Sequence, residues 1–373
     1  AINHNLNSSS SIASFSSSNN NNNYDTNMMT SFYSCGVDKY LKRWNLDYQL
    51  WNGGVGRDQS TKPIQSYVAE GGLYCIDHHE SDQVLVTGGE QIDVWDATRT
   101  IPKQSFDGDS GTGASMDTIY AIRFNRVQKS VVGYCCRDRS VVLYDIKSGV
   151  RIKSFVMTRK SNALCWNPMN PFHLTVANED SNCYTYDLRM VERGPVMMHS
   201  GHTNAVMDID YSPAGTEFVT GSYDKTIRIF RSDSTNYKAQ EVYHTQRMQR
   251  VFSVKYSLDA RYVFSGSDDH GIRVWKADRS APLRPTSTKE QRTIDYNQKL
   301  LERYGDLEDI RKIDQHRHLP KRIYNEANRE REQVKAKDRR QQLNERYGKK
   351  KKKSAKKIEK PSAMKEHFAG TKE

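Results

Sequence analysis

Gly221-Ser-Tyr-Asp-Lys-Thr-Ile-Arg-Ile-Phe230 is the stretch that decides how this chain folds. Small residues end one strand, an acidic polar turn follows, and a second strand closes on an aromatic. Ile227 and Ile229 alternate with polar neighbours, the two-residue period of a half-buried strand. The same grammar recurs in SCGVDKYLKRW (Ser34 to Trp44), TGGEQIDVWD (Thr87 to Asp96), CCRDRSVVLYD (Cys135 to Asp145), ANEDSNCYTYD (Ala177 to Asp187) and SGSDDHGIRVW (Ser265 to Trp275). Asp38, Asp138, Asp180, Asp224 and Asp268 are expected to shape the turns, because a short carboxylate bonds nearby backbone amides. The closing aromatics are Trp44, Trp95, Tyr144, Tyr186, Phe230 and Trp275, spaced 51, 49, 42, 44 and 45 residues apart.

A period of about 40–45 residues with four strands per unit is that of a WD40 blade. One blade cannot bury both faces of its sheet, so stacked copies must share a core. The predicted fold is therefore all-β, a WD40 β-propeller with about six recognisable blades. The clearest blade runs from Gly201 to Arg231, with a turn at Tyr211-Ser-Pro-Ala-Gly215. Phe230 stands where such blades usually carry Trp and has no indole N–H to donate, so His202 and Asp224 are read as structural. The first copy lacks a clear upstream innermost strand, and a seven-bladed ring would need one blade more.

The 373 residues suffice for a large core plus an appendage, and a hydrophobic content of 36% implies that part of the chain is unpacked. There is no run of 18 apolar residues, so no membrane span is predicted. The polar N-terminus carries no secretory signal, and starting with Ala it reads as a processed or partial product. Cys35, Cys75, Cys135, Cys136, Cys165 and Cys183 form no CxxC pair and read as reduced core residues of an intracellular protein. His78-His79 and His316-Arg-His318 lack a second ligand cluster at metal spacing, so neither metal nor cofactor is expected. Gly53-Gly-Val-Gly-Arg57 lies between blades and reads as a surface loop. Without a phosphate loop or a nucleophile elbow, catalysis is not expected.

Four segments differ in character. Residues 1–30 are a Ser/Asn low-complexity leader, expected to be disordered. Residues 31–280 carry the blades, 281–348 a charged helical extension, and 349–373 a Lys-rich disordered tail. From Arg311 to Lys360, 20 Lys/Arg against 7 Asp/Glu leave +13, whereas the whole chain is +12. The basicity belongs to the tail alone, which marks it for an anionic partner. A helix is predicted from Lys321 to Tyr347, opened by Leu319-Pro320 and stopped at Gly348. Its apolar positions, Ile323, Ala327, Val334 and Leu343, are too thin a stripe for a large core. Pairs such as Glu332–Lys335 would brace it. Lys321, Arg322, Arg329, Arg331, Arg339 and Arg340 are the expected phosphate contacts. Lys349, Lys350, Lys351, Lys352 and Lys353 read as a nuclear or nucleolar targeting run, or as a further phosphate patch.

Further stretches are more specific than a generic blade: Tyr74-Cys-Ile-Asp-His-His79 with Asp93-Val-Trp-Asp96, Asp295-Tyr-Asn-Gln-Lys-Leu300, and Gln315-His-Arg-His-Leu-Pro-Lys-Arg-Ile-Tyr324. Between them, Cys165-Trp-Asn-Pro168, Ala177-Asn-Glu-Asp180, Asp208-Ile-Asp-Tyr-Ser-Pro213 and Val242-Tyr-His-Thr245 fall in order. Over residues 31–340 the chain resembles the Sof (suppressor of fibrillarin) family of WD40 proteins. The resemblance implies a nucleolar, non-enzymatic scaffold of the small-subunit processome. Such a scaffold associates with the U3 snoRNP and is needed for pre-rRNA processing toward 18S rRNA. It also implies seven blades, of which the first and the start of the second have no counterpart here. The family's basic helix usually continues into a HSKPG-like segment, whereas here Asn344-Glu-Arg-Tyr-Gly348 runs into lysines. Animal members are also described as substrate receptors of cullin-4 ubiquitin ligases, which carry a WDxR sequence at a blade end. Tyr186-Asp-Leu-Arg189 matches it with Tyr for Trp, so Asp187 and Arg189 would present a charged edge to the ligase adaptor. Trp95-Asp-Ala-Thr-Arg99 places its Arg one residue late.

Overall fold

The computed structural model describes residues 31–45, 63–79, 84–106, 118–232, 238–279, 281–282, 285–314, 316 and 318–347. The expected leader 1–30, the loop at Gly53 to Arg57, Gly348 and the Lys-rich segment 349–373 lie outside the described residues.

Among the described residues, twenty-two strands form six meandering sheets. The first holds β1 (Ser31–Cys35), β2 (Tyr40–Asn45) and β3 (Gln65–Val68). The second holds β4 (Leu73–His78), β5 (Val84–Gly89), β6 (Ile92–Asp96) and β7 (Gln104–Phe106). The third runs through β8 (Ile119–Phe124), β9 (Val131–Cys136), β10 (Ser140–Asp145) and β11 (Val150–Val156). Next come β12 (Ser161–Trp166), β13 (His173–Asn178), β14 (Cys183–Asp187) and β15 (Met197–His199). The fifth holds β16 (Val206–Tyr211), β17 (Glu217–Ser222), β18 (Ile227–Arg231) and β19 (Glu241–Tyr243). The last has three strands, β20 (Val251–Tyr256), β21 (Tyr262–Ser267) and β22 (Ile272–Lys276). In the second to sixth sheets each recurring motif spans the second and third strands, the arrangement of a WD40 propeller blade, and in the first sheet it spans β1 and β2. The first sheet has no innermost strand among the described residues, as its sequence implied.

The turn acids work as expected in four copies. Asp38, Asp138, Asp180 and Asp224 each accept the amide two residues on, from Tyr40, Ser140, Asn182 and Thr226. The residue in between, Lys39, Arg139, Ser181 or Lys225, has φ between 65° and 72°, a conformation the carboxylate bond helps to hold. In the last sheet the acid is Asp269, not Asp268. Gly271 donates to Asp269, and His270 takes the positive φ of 61°. Two adjacent aspartates made the register ambiguous in sequence.

The chain divides into two compact units, one holding Ala1–Glu179, Tyr184–Val196 and Pro361–Glu373, the other holding Asp180–Cys183 and Met197–Lys360. Within the first, Asp77 on β4 accepts the amide of Phe124 on β8 at 2.7 Å, and the Trp166 indole donates to the carbonyl of Arg123 at 3.0 Å. Within the second, Asp208 and Asp210 on β16 accept the amides of Val254 and Tyr256 on β20, each at 2.9 Å. Carboxylates thus tie one innermost strand to the next. The first unit's core gathers Val86, Ile92, Val94, Ile119, Ile122 and Tyr134 in one cluster, and Leu41, Tyr67, Leu85 and Trp95 in another. The second unit's core holds Val219, Ile227, Ile229, Val251, Val254 and Val263.

Helices α1 (Thr288–Tyr304), α2 (Glu308–Asp314) and α3 (Lys321–Tyr347) follow the sheets. A capping box between Ser287 and Glu290 starts α1. Among the described residues no helix is long and apolar enough to cross a membrane.

Candidate nucleic-acid interface

Helix α3 begins and ends where the sequence placed it, about 40 Å long at 1.5 Å per residue. Its first turn carries Lys321 and Arg322 and no acid, against the preference of a helix N-terminus for negative charge. By contrast α1 and α2 obey that preference, with Glu290 and with Glu308 and Asp309 in their first turns. A local rule broken in one of the three described α-helices points to a demand from outside the helix.

The six predicted phosphate contacts are all exposed. At 3.6 residues per turn, Lys321, Arg322, Arg329, Arg339 and Arg340 share a face roughly 100° wide. Glu332 falls on that face, and Arg322 is braced by Glu326 at 3.1 Å. That i,i+4 pair takes the bracing role expected of Glu332–Lys335. Arg331 departs from the group, pointing to the flank of Ile323 and Ala327. Ile323 is only 6% exposed, so the thin apolar stripe does anchor the start of the helix, while Val334 and Leu343 stay exposed. Burial raises the Glu330 carboxyl, and neighbouring Glu326 adds to the effect. Burial lowers the Arg228 guanidinium on β18; Asp224 opposes that shift and the charge of Arg331 reinforces it.

The segment entering α3 is fastened to the second unit by the second of the two close histidine pairs. His244, just after β19, bonds through Nε2 to the carbonyl of His318 at 3.1 Å, with the two rings 5.9 Å apart. A hollow of about 310 Å³ lined by His316, His318, Leu319, Lys321 and Tyr324 lies beside this tie. Sequence reasoning missed the tie, although His244 and His318 both lie in stretches singled out as specific. The first pair plays another part: His78 stacks on Tyr33, and buried His79 meets Phe124 edge-on.

The Tyr186-to-Arg189 motif divides in two. Asp187 is 6% exposed, and its carboxylate accepts from the backbone and guanidinium of Arg189 at 2.9–3.2 Å. Those bonds to Arg189 hold it below the usual carboxylate range. Asp187 is therefore a buried positioning residue and not part of a presented edge. Arg189 is the outward group, stacked over Phe172 at 4.7 Å.

Comparison with known proteins matches residues 277–364 to the Sof1-like domain, and residues 193–231 and 240–276 to the WD domain, G-beta repeat. DDB1- and CUL4-associated factor 13 of Danio rerio is 40% identical over 313 residues, covering 84% of this chain and 67% of that protein. The chain belongs to the Sof1 family of WD40 proteins. Among its relatives, protein SOF1 of Saccharomyces cerevisiae is 36% identical over 304 residues, 80% of this chain and 60% of that protein. The Homo sapiens DDB1- and CUL4-associated factor 13 is 40% identical over 302 residues, 81% and 64% respectively. This Sof1-family chain thus spans 60% to 67% of these relatives' lengths. The Sof1-like match takes in α1, α2 and α3, so the fastened basic arm lies within the family's own domain.

Proposed function

We propose that this Sof1-family chain is a non-enzymatic scaffold of the small-subunit processome, working in the nucleolus in pre-rRNA processing toward 18S rRNA. Its blades dock neighbouring processome proteins and the U3 snoRNP, while the arm contacts pre-rRNA. The observation that carries this is α3, with two cations in its first turn and five of six candidate contacts on one face. Phosphates spaced along RNA suit such a face without base specificity. The segments are proposed as blades over 31–280, arm over 281–348 and targeting tail over 349–373. Deleting residues 281–373 is expected to abolish nucleolar retention and pre-rRNA association. Normal entry of the truncated chain into pre-ribosomes would overturn the arm's role.

A second reading, substrate receptor of a cullin-4 ligase, is favoured by one observation on this chain, Arg189 held outward by a buried Asp187, together with the printed name of its relatives, DDB1- and CUL4-associated factor 13. Arg189→Ala is the cleaner probe, since Asp187→Ala would disturb a buried turn. Reduced adaptor co-purification with intact ribosomal association supports this reading; unchanged adaptor recovery removes it.

A further inference from the structure

In five sheets the innermost strand slips register at its second residue. The ladder skips Tyr74, Tyr120, Asn162, Met207 and Phe252. A bulge of this kind takes a residue out of pairing and re-aims its side chain. All five lie at one strand end, next to the turn between the second and third strands. Backbone bonds fix this placement: Arg137 donates to Thr118, Tyr223 to Ala205 and Asp268 to Arg250, each turn reaching the residues just before an innermost strand.

The second unit holds two of these bulged residues, Met207 and Phe252, and Phe252 is 43% exposed. It meets Tyr223 edge-on, with ring centroids 5.7 Å apart, and the guanidinium of Arg250 lies over the Tyr223 ring at 5.4 Å. Exposed Arg247 lies in the same loop, and Lys225 is tied to that loop through Gln249 at 2.6 Å. Of the acids at this end, Asp224 is buried on His202, Asp269 is paired with Arg273, and Asp208 is engaged by the Ser253 hydroxyl and the Val254 amide, which leaves Asp268 exposed beside Lys225, Arg247 and Arg250. The balance favours anions. The first unit repeats the device: Tyr74 and Tyr120 are 6.4 Å apart, and Lys160 sits 3.5 Å from the Tyr120 ring centroid. Lys160 and Arg250 hold equivalent positions, each one residue before an innermost strand.

The arm reaches the same strand end of the second unit. Strand β19 runs back toward it, and His244 at its exit holds the carbonyl of His318. Gly201, before β16, lies against Arg228, whose charge environment includes Arg331. Aromatic faces interleaved with cations form a stacking platform for unpaired bases, with flanking phosphates held by charge. We propose that Phe252 and Tyr223, with Lys225, Arg247 and Arg250, bind single-stranded RNA and extend the basic face of α3 into a base-stacking surface. The inference rests on the RNA-binding reading of the arm and names the class of RNA it takes.

The test is fluorescence anisotropy of the full chain with a 12-nucleotide labelled oligouridine, titrated at several KCl concentrations. Tyr223→Leu with Phe252→Leu is expected to weaken binding about tenfold with the salt slope unchanged. Arg250→Gln should weaken it a few-fold and lower the slope by about 0.7. The arm variant Arg329→Gln, Arg339→Gln, Arg340→Gln serves as the separate control. If only the arm variant loses affinity, the stacking surface is wrong and the arm stands. If only the aromatic variant loses affinity, the arm reading fails. Because the aromatic pair could be damaged in folding, 4-thiouridine crosslinking of the unaltered chain gives a second measurement. Crosslinked peptides holding Tyr223 or Phe252 support the proposal. Crosslinks confined to residues 285–347 overturn it, as would unchanged RNA binding with loss of a co-purifying protein.

Discussion

Phe230 shows how one residue redirects a buried network. In three sheets a Trp indole donates to a hydroxyl on the neighbouring strand: Trp44 to Ser34, Trp95 to Thr87 and Trp275 to Ser265, at 2.8–2.9 Å. In the fifth sheet Phe230 stacks on Phe218, and Thr220 is left to pair with His202 Nε2 at 2.8 Å. His202 Nδ1 bonds Asp224 at 2.8 Å, and Thr226 closes the group at 2.6 Å. Burial lowers the His202 pKa despite the opposing pull of Asp224, and burial also takes His199 down to about 4. His199 lies against the rings of Phe218 and Phe230. Both histidines fold with a pKa below 6.5, so the unfolded chain binds protons first and stability falls as pH drops below about 6.5. For His199 alone, moving from pH 7 to pH 5 is expected to cost about 2 kcal/mol. Urea midpoints at the two pH values check this, and His199→Phe should flatten the change; an equal drop in the variant would assign it elsewhere. The structural roles of His202 and Asp224 were legible because both side chains fall inside the repeat grammar. Asp269 was not, since Asp268-Asp269 offers two registers that only the fold distinguishes.

At the scale of elements, sheet packing is read most directly from the glycines. A Cβ on Gly221 would come within 2.8–2.9 Å of Val251 and Val254, and one on Gly88 within 2.8 Å of Ile119. Gly266, the corresponding position in the last sheet, has nothing within 4 Å. There Phe264, Ile272 and Val274 are exposed, whereas Val219, Ile227 and Ile229 at the matching positions are buried. Gly221→Ala is expected to destabilise by about 1–3 kcal/mol through overpacking, and Gly266→Ala by no more than about 0.5 kcal/mol. Equal losses in thermal melts would deny the asymmetry. For α3, neutralising Arg329, Arg339 and Arg340 should reduce the salt slope of single-stranded RNA binding by about 2, whereas Arg331→Gln changes it by less than 0.7. The limits of α3 were legible from Pro320, Gly348 and the unbroken run between them. Its anchoring by Ile323 and His318 was not, because a single buried Ile and a backbone carbonyl leave no periodic trace. The bulges were equally silent, since they are set by pairing across strands.

For the molecule as a whole, charge and folded surface are separate. The 50 residues from Arg311 to Lys360 hold +13 of a chain total of +12, so the blades and remaining segments are close to neutral. Association through the arm should therefore weaken steeply with salt, while blade docking to proteins should not. The repeat count, the six closing aromatics and the basic arm were all readable from spacing and composition, because each is a property of many residues at once. The stacking surface rests on a few side chains brought together from separate repeats, and no linear pattern announces it. The most direct measurement is in vivo UV crosslinking with sequencing of the bound RNA, comparing the intact chain with one ending at residue 280. Crosslinks to pre-rRNA or U3 RNA that fall sharply on truncation are the predicted result. Equal crosslinking by both chains, or no RNA above background in either, would contradict the account.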